Sequence, residues 1–172
     1  MLDQKGFNRR RFLFSAGGTT IIAGTLLYYL LGKTNSMATT KDENFEVTKT
    51  EAEWKEVLAP EQFQVLRKHG TERPRTSPLD KIYTAGTYIC AGCDLPLFTS
   101  GTKFDSGTGW PSFYQPIDGA VATTTDRTLF MTRVEVHCHR CGGHLGHVFD
   151  DGPAPTGKRY CMNGVSMKFI PA

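Results

Sequence analysis

The hydrophobic and polar positions divide the chain into a helical beginning and a longer β-prone remainder. Thr50-Glu51-Ala52-Glu53 has the sequence of a helix-capping box, so a helix is expected to begin there. Pro60 can open a second helix, which should stop at Gly70. The apolar residues at helical spacing that should be buried are Trp54, Val57, Leu58, Phe63 and Leu66. Two short helices are therefore predicted before the rest of the fold.

From residue 80 onward, glycine and proline recur every few residues between short runs with high β propensity. Examples of these runs are Lys81–Tyr83, Leu129–Thr132 and Arg133–Val136. Short strands that alternate with turn residues are typical of antiparallel sheets. We therefore predict a mainly β fold for this part of the chain.

Residues 1–38 have the pattern of an export signal. Three arginines, Arg9 to Arg11, precede Phe12-Leu13, and no residue from Phe12 to Gly32 is charged. This pattern resembles a twin-arginine signal, in which the basic residues stay on the cytoplasmic side. The small residues of Ser36-Met37-Ala38 predict cleavage after Ala38 and release into a periplasm or a thylakoid lumen.

Two other interpretations of this leader stay open. Its uncharged stretch of about twenty residues can just cross a bilayer and can therefore be an uncleaved anchor. Met37 can instead be the true start of a cytoplasmic protein, because Met37-Ala38-Thr39-Thr40 also resembles a cytosolic N-terminus. Residues 39–48 are polar and form the predicted tether, which places the domain at 49–172.

The formal net charge of +3 does not indicate a nucleic-acid partner once the charges are located. Five basic residues and one acidic residue precede position 39, and 15 basic and 16 acidic residues remain after it. The predicted domain therefore offers no excess of cations for a phosphate backbone. The length of 172 residues suits one folded domain, which we expect to be a monomer.

Four of the five cysteines form two Cys-x-x-Cys pairs, and the fifth stands alone. Cys90/Cys93 and Cys138/Cys141 each place two thiols on a tight turn, so four sulfurs can surround one tetrahedral Zn²⁺. Four thiolates leave no open position, which predicts a structural metal. The alternative is a pair of redox disulfides, which an exported location would favour. Cys161 remains as a candidate reactive thiol.

Residues near Cys161 in the sequence have side chains that suit thiol chemistry. If Arg159 to Asn163 is extended, then Arg159, Cys161 and Asn163 share one face of the strand. The guanidinium of Arg159 would favour the thiolate form of Cys161. Two histidines, His144 and His147, lie three positions apart among glycines, although such a pair can also be structural.

A further cluster, Lys103 to Phe113, contains Trp110 in a loop rich in glycine and proline, where a tryptophan can equally belong to the core. All these clusters together resemble the B-type methionine sulfoxide reductases, enzymes that reduce methionine-R-sulfoxide in proteins. The resemblance runs from about Trp54 to Ile170. The motifs that carry it are Cys90-Ala91-Gly92-Cys93, Phe104-Asp105-Ser106-Gly107, Gly109-Trp110-Pro111-Ser112-Phe113, His144-Leu145-Gly146-His147-Val148-Phe149-Asp150-Asp151-Gly152-Pro153 and Arg159-Tyr160-Cys161-Met162-Asn163.

This resemblance implies a fold of two antiparallel sheets, arranged like a tent and clasped by zinc, with short N-terminal helices. It implies that Cys161 attacks the sulfoxide and that His147 or His144 protonates the leaving oxygen. Oxidised proteins or peptides are the implied substrates. The other residues implied to surround the reacting centre or to bind substrate are Arg159, Asn163, Trp110, Phe149 and Asp151. Asp151 is also a candidate for orienting a histidine.

One position departs from the family pattern. Many members carry a resolving cysteine where this chain has Thr108, and a threonine cannot form a disulfide. If Zn²⁺ holds the other four cysteines, none is left to condense with a sulfenic acid on Cys161. We therefore predict a one-cysteine cycle in which thioredoxin, glutaredoxin or a small thiol reduces that acid.

Two functions of other classes fit parts of the same pattern. A zinc-stabilised module could bind peptides through Trp110 and the histidines without catalysis, and Cys161 would then be dispensable. A thiol–disulfide oxidoreductase would instead use Cys90 and Cys93, whose reactivity zinc would suppress. The joint presence of Cys161, a neighbouring cation and two histidines favours the reductase.

Overall fold

A computed structural model of the chain describes residues 45–127 and 131–172. The predicted leader and most of the predicted tether lie outside these residues, and the domain boundaries stay predictions. Among the residues that are described, no helix combines the length and the apolar character that crossing a bilayer requires.

Two helices open the described part of the chain, as the sequence predicts. Helix α1 spans Glu51–Val57, and helix α2 spans Pro60–Lys68. The capping box is confirmed: the Thr50 hydroxyl accepts a bond of 3.3 Å from the Glu53 amide, and the Glu53 carboxylate accepts one of 2.7 Å from the Thr50 amide. After α2, the chain turns at His69, whose φ of 54° lies in the left-handed region.

Four of the five apolar residues predicted to be buried in the helices are buried, namely Trp54, Leu58, Phe63 and Leu66. The prediction for Val57 is wrong, because its side chain is 58% exposed. Helix α1 ends at Val57, and the extended backbone of Leu58 carries the chain into the core. Leu58, and not Val57, therefore contributes the buried side chain at this end of α1.

The rest of the described chain forms two antiparallel sheets, which confirms the predicted mainly β fold. The strands are β1 Gly86–Cys90, β2 Pro96–Thr99, β3 Lys103–Phe104, β4 Ser112–Phe113, β5 Val121–Asp126, β6 Arg133–Cys138, β7 His144–Phe149, β8 Arg159–Met162 and β9 Met167–Pro171. The smaller sheet has the strand order β2-β1-β9, and the larger sheet has the order β3-β4-β8-β7-β6-β5.

The three runs with high β propensity have different outcomes. Arg133–Val136 lies within β6, as predicted. Lys81–Tyr83 is not a strand: Lys81 ends a 3₁₀ turn over Pro78–Lys81, which Ser77 caps and the fixed φ of proline favours. Leu129–Thr132 lies partly outside the described residues, and its described end is not in a strand.

Aromatic side chains between the two sheets form the centre of the core. Phe113 on the larger sheet stacks on Phe98 of the smaller one, with ring centroids 4.3 Å apart. Tyr88 meets Phe113 edge to face at 4.9 Å. Phe113 lies next to Ser112, whose side chain projects from the opposite face of the strand. One face of the larger sheet therefore packs on the core, and the other face carries the polar residues described next.

Candidate active site

The larger sheet aligns Cys161 with polar side chains on its neighbouring strands. Cys161 lies opposite Ser112 on β4 and opposite His147 on β7. His147 in turn lies opposite Glu135 on β6. Directly opposed residues of antiparallel strands project from the same face. These four residues therefore form one row, which we call the polar row, on the face that points away from Phe113.

Hydroxyl groups border the Cys161 thiol, and one of them belongs to Thr108. The Cys161 Sγ lies 3.9 Å from the Thr108 Oγ1. The Ser106 hydroxyl lies 2.8 Å from that of Thr108 and 2.7 Å from that of Ser112. All five cysteines of the chain are described, and the four others form a separate cluster. Cys161 thus has a threonine, and not a thiol, in this neighbouring position.

Burial raises the pKa of the Cys161 thiol above its ordinary value. The Thr108 hydroxyl and the Arg159 charge lower this pKa, but by less than burial raises it. The prediction that Arg159 favours the thiolate is therefore right in sign, but burial outweighs it. Arg159 donates two bonds of 2.8 Å to Asp151, and its guanidinium lies 4.4 Å from the ring centroid of Phe149. Formation of the thiolate near neutral pH consequently calls for a base.

His147, opposite Cys161 on the neighbouring strand, is hydrogen-bonded to an acidic residue. Its Nε2 lies 2.8 Å from the Asp126 Oδ2, and Asp126 is also 2.7 Å from the Arg133 guanidinium. Burial lowers the pKa of His147, although the bond to Asp126 acts against this. A neutral imidazole can accept the proton of Cys161 and later deliver it to a leaving oxygen.

His144 occupies a more enclosed place on the same face. It is 2% exposed, and its Nδ1 lies 2.7 Å from the Glu135 Oε1. Its Nε2 is buried and has no hydrogen-bond partner among the described residues. Burial alone would raise the pKa of Glu135, but bonds from His144, His69 and Thr124 hold that pKa well below its usual range. Glu135 is therefore a carboxylate that orients the His144 ring.

The structure changes the role expected of Asp151. Its side chain is 62% exposed and pairs with Arg159, so it does not orient a histidine. Asp126 and Glu135 take that role, for His147 and His144 respectively. Neither carboxylate was predicted from the sequence. The available signal was the alternation of polar and apolar residues along β6, where Glu135 stands between Val134 and Val136 and so projects from the opposite face.

The side chain of Asn163, which was predicted to share the face of Cys161, is held by two hydrogen bonds. It is buried, its Nδ2 donates to the Leu145 carbonyl, and its Oδ1 accepts from the Glu72 amide, both at 3.0 Å. The carbonyl of Glu72 accepts a bond of 3.2 Å from the Trp110 indole. The side chain of Glu72 accepts two further backbone bonds, from the amides of Gly164 and Val165. Glu72, which the sequence analysis missed, thus connects Trp110 to the end of β8.

The four paired cysteines form a cluster with the dimensions of a tetrahedral metal centre. The sulfurs of Cys90 and Cys141 are 3.7 Å apart, those of Cys93 and Cys138 are 3.5 Å apart, and all four lie within 4.8 Å of one another. Tetrahedral Zn²⁺ with bonds of about 2.3 Å separates its sulfurs by about 3.8 Å. A disulfide requires about 2.05 Å. The four free thiols therefore fit Zn²⁺ and are not disulfides.

The four-cysteine cluster lies where the two sheets meet. Cys90 ends β1 of the smaller sheet, and Cys138 ends β6 of the larger sheet. Arg67 of α2 donates a bond of 2.9 Å to the carbonyl of Cys141. A zinc ion held here would tie both sheets and the second helix together.

Comparison with known proteins finds one matching family model and many similar sequences. A family model described as the SelR domain matches residues 58–171. The peptide methionine sulfoxide reductase MsrB of Agrobacterium fabrum is 57% identical over 127 residues, which are 73% of this chain and 94% of the relative. The protein of the same name from Methanosarcina barkeri is 59% identical over 124 residues, which are 72% of this chain and 87% of the relative. Peptide methionine sulfoxide reductase B1 of Arabidopsis thaliana, a chloroplastic protein, is 54% identical over 128 residues, which are 74% of this chain and 63% of the relative.

Proposed function

This chain belongs to the SelR family, and on that basis we propose that it reduces methionine sulfoxide in peptides and proteins, with Cys161 as the nucleophile. The names of its relatives support this reaction. The observation that carries the proposal for this chain is the polar row, in which Cys161 lies opposite His147. A half-buried thiol on the strand next to an imidazole is an arrangement for nucleophilic catalysis.

The first step transfers one oxygen atom from substrate to enzyme. His147 accepts the Cys161 proton, and the thiolate attacks the sulfoxide sulfur. A bond forms between the two sulfurs while the sulfoxide oxygen takes up a proton. That oxygen then moves as hydroxyl to Cys161, while the bond between the two sulfurs and the original sulfur–oxygen bond break, which releases methionine and leaves a sulfenic acid. The sulfoxide sulfur is reduced by two electrons, and Cys161 is oxidised by two.

His147 and His144 are the two candidates for protonating the leaving oxygen. His147 has just received the thiol proton and lies on the strand next to Cys161. The His144 ring lies 5.4 Å from the His147 ring, and its buried Nε2 lacks a partner among the described residues. These contacts favour His147 as the group that exchanges the proton and His144 as a donor to the same oxygen.

An external thiol completes the proposed cycle. Two thiols reduce the sulfenic acid, with formation of one disulfide and one water and return of Cys161 to its thiol form. Thr108 beside Cys161 supports this one-cysteine cycle, because the other cysteines lie in the four-sulfur cluster. Thioredoxin, glutaredoxin or a small thiol can supply the electrons.

Substrate selection is proposed to depend on the loop that precedes β4. Trp110 is half-buried there, and its indole is held by the carbonyl of Glu72. An aromatic face fixed in this way suits the methyl group of the substrate. Arg159 and Phe149 would contact the rest of the substrate, with Asp151 holding the guanidinium in place. We propose selectivity for the R epimer, in keeping with the family resemblance.

The test supplies purified protein with dithiothreitol and with separated R and S epimers of a methionine sulfoxide peptide. We expect turnover of the R epimer alone and complete loss of turnover in Cys161→Ser. Cys161 is half-buried, so the conservative serine should preserve the fold. Circular dichroism and zinc content of the variant serve as controls.

If folded and zinc-replete protein reduced neither epimer, the rival function would be favoured. That rival is a peptide-binding module in which Cys161 has no chemical role. It predicts that Cys161→Ser binds a methionine sulfoxide peptide as tightly as the unaltered chain and that no peptide is reduced. Turnover of the S epimer would refute only the proposed stereoselectivity.

The leader supports a proposal about location. We propose that Arg9 to Phe12 direct the folded chain through a twin-arginine route and that cleavage follows Ala38. The N-terminal sequence of exported protein should begin at Thr39. Replacement of Arg9, Arg10 and Arg11 by lysine should block export. Retention of residues 1–38 in exported protein would favour the anchor, and unchanged export of the lysine variant would refute the route.

A further inference from the structure

A second group of metal-ligating atoms lies on the face of the polar row, outside the four-cysteine cluster. His69, Glu135 and His144 each offer one ligand atom, and these atoms lie within 4.8 Å of one another. The Nδ1 of His69 is 2.9 Å from the Glu135 Oε1, and the Nδ1 of His144 is 2.7 Å from the same oxygen. Two imidazoles, from the end of α2 and from β7, thus converge on one carboxylate of β6.

We propose that His69, Glu135 and His144 form a second metal site, which binds a divalent transition ion such as Zn²⁺. Two imidazoles and one carboxylate are a ligand set that proteins use for zinc, with water in the fourth position. Zinc–nitrogen bonds of about 2.0–2.1 Å place tetrahedral ligand atoms about 3.3 Å apart. The present contacts of 2.7 and 2.9 Å would have to open only slightly to admit the ion.

The surroundings already hold these ligands in place. The Thr124 hydroxyl donates a bond of 2.8 Å to the other oxygen of Glu135 and so orients the carboxylate. The His144 ring is buried and lies 5.2 Å from the His69 ring. Contacts of this kind around a ligand set raise metal affinity, because they limit the reorganisation that binding requires.

An ion from solvent can reach the site through His69. The side chain of His69 is 64% exposed, whereas those of Glu135 and His144 are 13% and 3% exposed. Coordination requires the Nδ1 of each histidine to be free of a proton, so the proton that each ring shares with Glu135 is displaced.

The consequence for the enzyme rests on the proposed function. An ion bound to the Nδ1 of His144 would fix a ring that is proposed to assist protonation of the sulfoxide oxygen. Occupation of the second site should therefore slow the oxidation of Cys161 by substrate. The site would make methionine sulfoxide reduction sensitive to the concentration of free zinc.

The test uses the full chain with its four-cysteine site loaded with zinc. Calorimetry with added Zn²⁺ should detect one further ion per chain, and His69→Gln should weaken its binding on the order of tenfold or more. His139→Gln is the matched control, because it removes an exposed histidine outside the proposed site. Co²⁺ added to the zinc-loaded chain should give weak ligand-field absorption without an intense thiolate charge-transfer band.

The second ion should slow formation of oxidised Cys161 in a single turnover without reductant. Each variant is compared with its own rate when only the four-cysteine site carries zinc. This slowing should disappear in His69→Gln and persist in His139→Gln. Absence of a second ion, or unchanged binding in His69→Gln, would overturn the proposed site. If Cys161 stayed unoxidised in the chain that carries zinc only at the four-cysteine site, this would instead count against the proposed function and leave the binding result valid.

Discussion

At the scale of single residues, the reactivity of Cys161 is set by opposing effects on its thiol. Burial raises its pKa, whereas the Thr108 hydroxyl and the Arg159 charge lower it. The thiolate fraction should therefore still be rising above pH 7. Alkylation by iodoacetamide, followed as a function of pH, measures this fraction directly.

We predict that Arg159→Gln moves the alkylation profile of Cys161 to higher pH, because the variant loses a cation that stabilises the thiolate. Lys158→Gln is the control, since Lys158 is exposed and pairs with Asp150. Its profile should match that of the unaltered chain. An unmoved profile in Arg159→Gln would show that Arg159 has no electrostatic effect on the thiol.

The sequence revealed functional residues that can be recognised by their type and local spacing, such as Cys161 and the paired cysteines. It could not reveal partners that only the folded sheet brings together. Glu135 and His69 are 66 positions apart yet share a hydrogen bond. Asp151 was a candidate for orienting a histidine, but the β7–β8 hairpin brings it to Arg159 instead.

At the scale of elements, two apolar residues of α1 that the hydrophobic pattern predicts to be buried differ in their exposure. Trp54 is 3% exposed, whereas Val57 is 58% exposed. We predict that Trp54→Ala lowers the free energy of unfolding by about 3–5 kcal/mol. Val57→Ala should change it by less than about 0.5 kcal/mol. Chemical denaturation of both variants measures the difference, and equal losses would place Val57 in the core.

The segment after α2 depends on Glu72, which joins Trp110 to the end of β8. The two carboxylate oxygens of Glu72 accept from the amides of Gly164 and Val165. In Glu72→Gln, one of these amides would face an amino group and lose its acceptor. We expect a loss of about 1–3 kcal/mol in the free energy of unfolding.

The matched control for this prediction is Glu61→Gln, because Glu61 is exposed on α2. Its free energy of unfolding should stay within about 0.5 kcal/mol of that of the unaltered chain. Equal stability of both variants in chemical denaturation would mean that the bonds of Glu72 contribute nothing measurable.

The elements themselves were predictable where local chemistry determines them. The capping box of α1 and the strand Arg133–Val136 are examples. The predicted strand at Lys81–Tyr83 was wrong because strand propensity takes no account of Ser77 and Pro78, which favour a helical turn that runs into this segment. Strand order could not be predicted, because β4 pairs with β8, a strand that follows it much later in the chain.

At the scale of the whole molecule, the four-cysteine cluster joins the two sheets. Structural zinc in small domains has an apparent free energy of binding of about 10–16 kcal/mol. This is as large as the usual free energy of unfolding of a whole domain, about 5–15 kcal/mol. We predict one tightly bound zinc ion per chain. Its removal by a chelator, or the substitution Cys93→Ser, should abolish cooperative thermal unfolding.

Elemental analysis and near-ultraviolet circular dichroism check this prediction. Cys161→Ser is the control, because it removes a cysteine outside the cluster and should retain zinc and cooperative unfolding. A metal-free chain that unfolded at the same temperature as the zinc-loaded chain would contradict the structural role of the ion.

The most direct test of the central claim is the intact mass of the chain after exposure to a methionine-R-sulfoxide peptide without reductant. The proposed one-cysteine cycle predicts one added oxygen atom per chain, located at Cys161 and trapped by a sulfenic-acid probe. Dithiothreitol should then restore the original mass. A disulfide between Cys161 and Cys138 or Cys141, or a chain that stays unoxidised while it carries zinc, would contradict it.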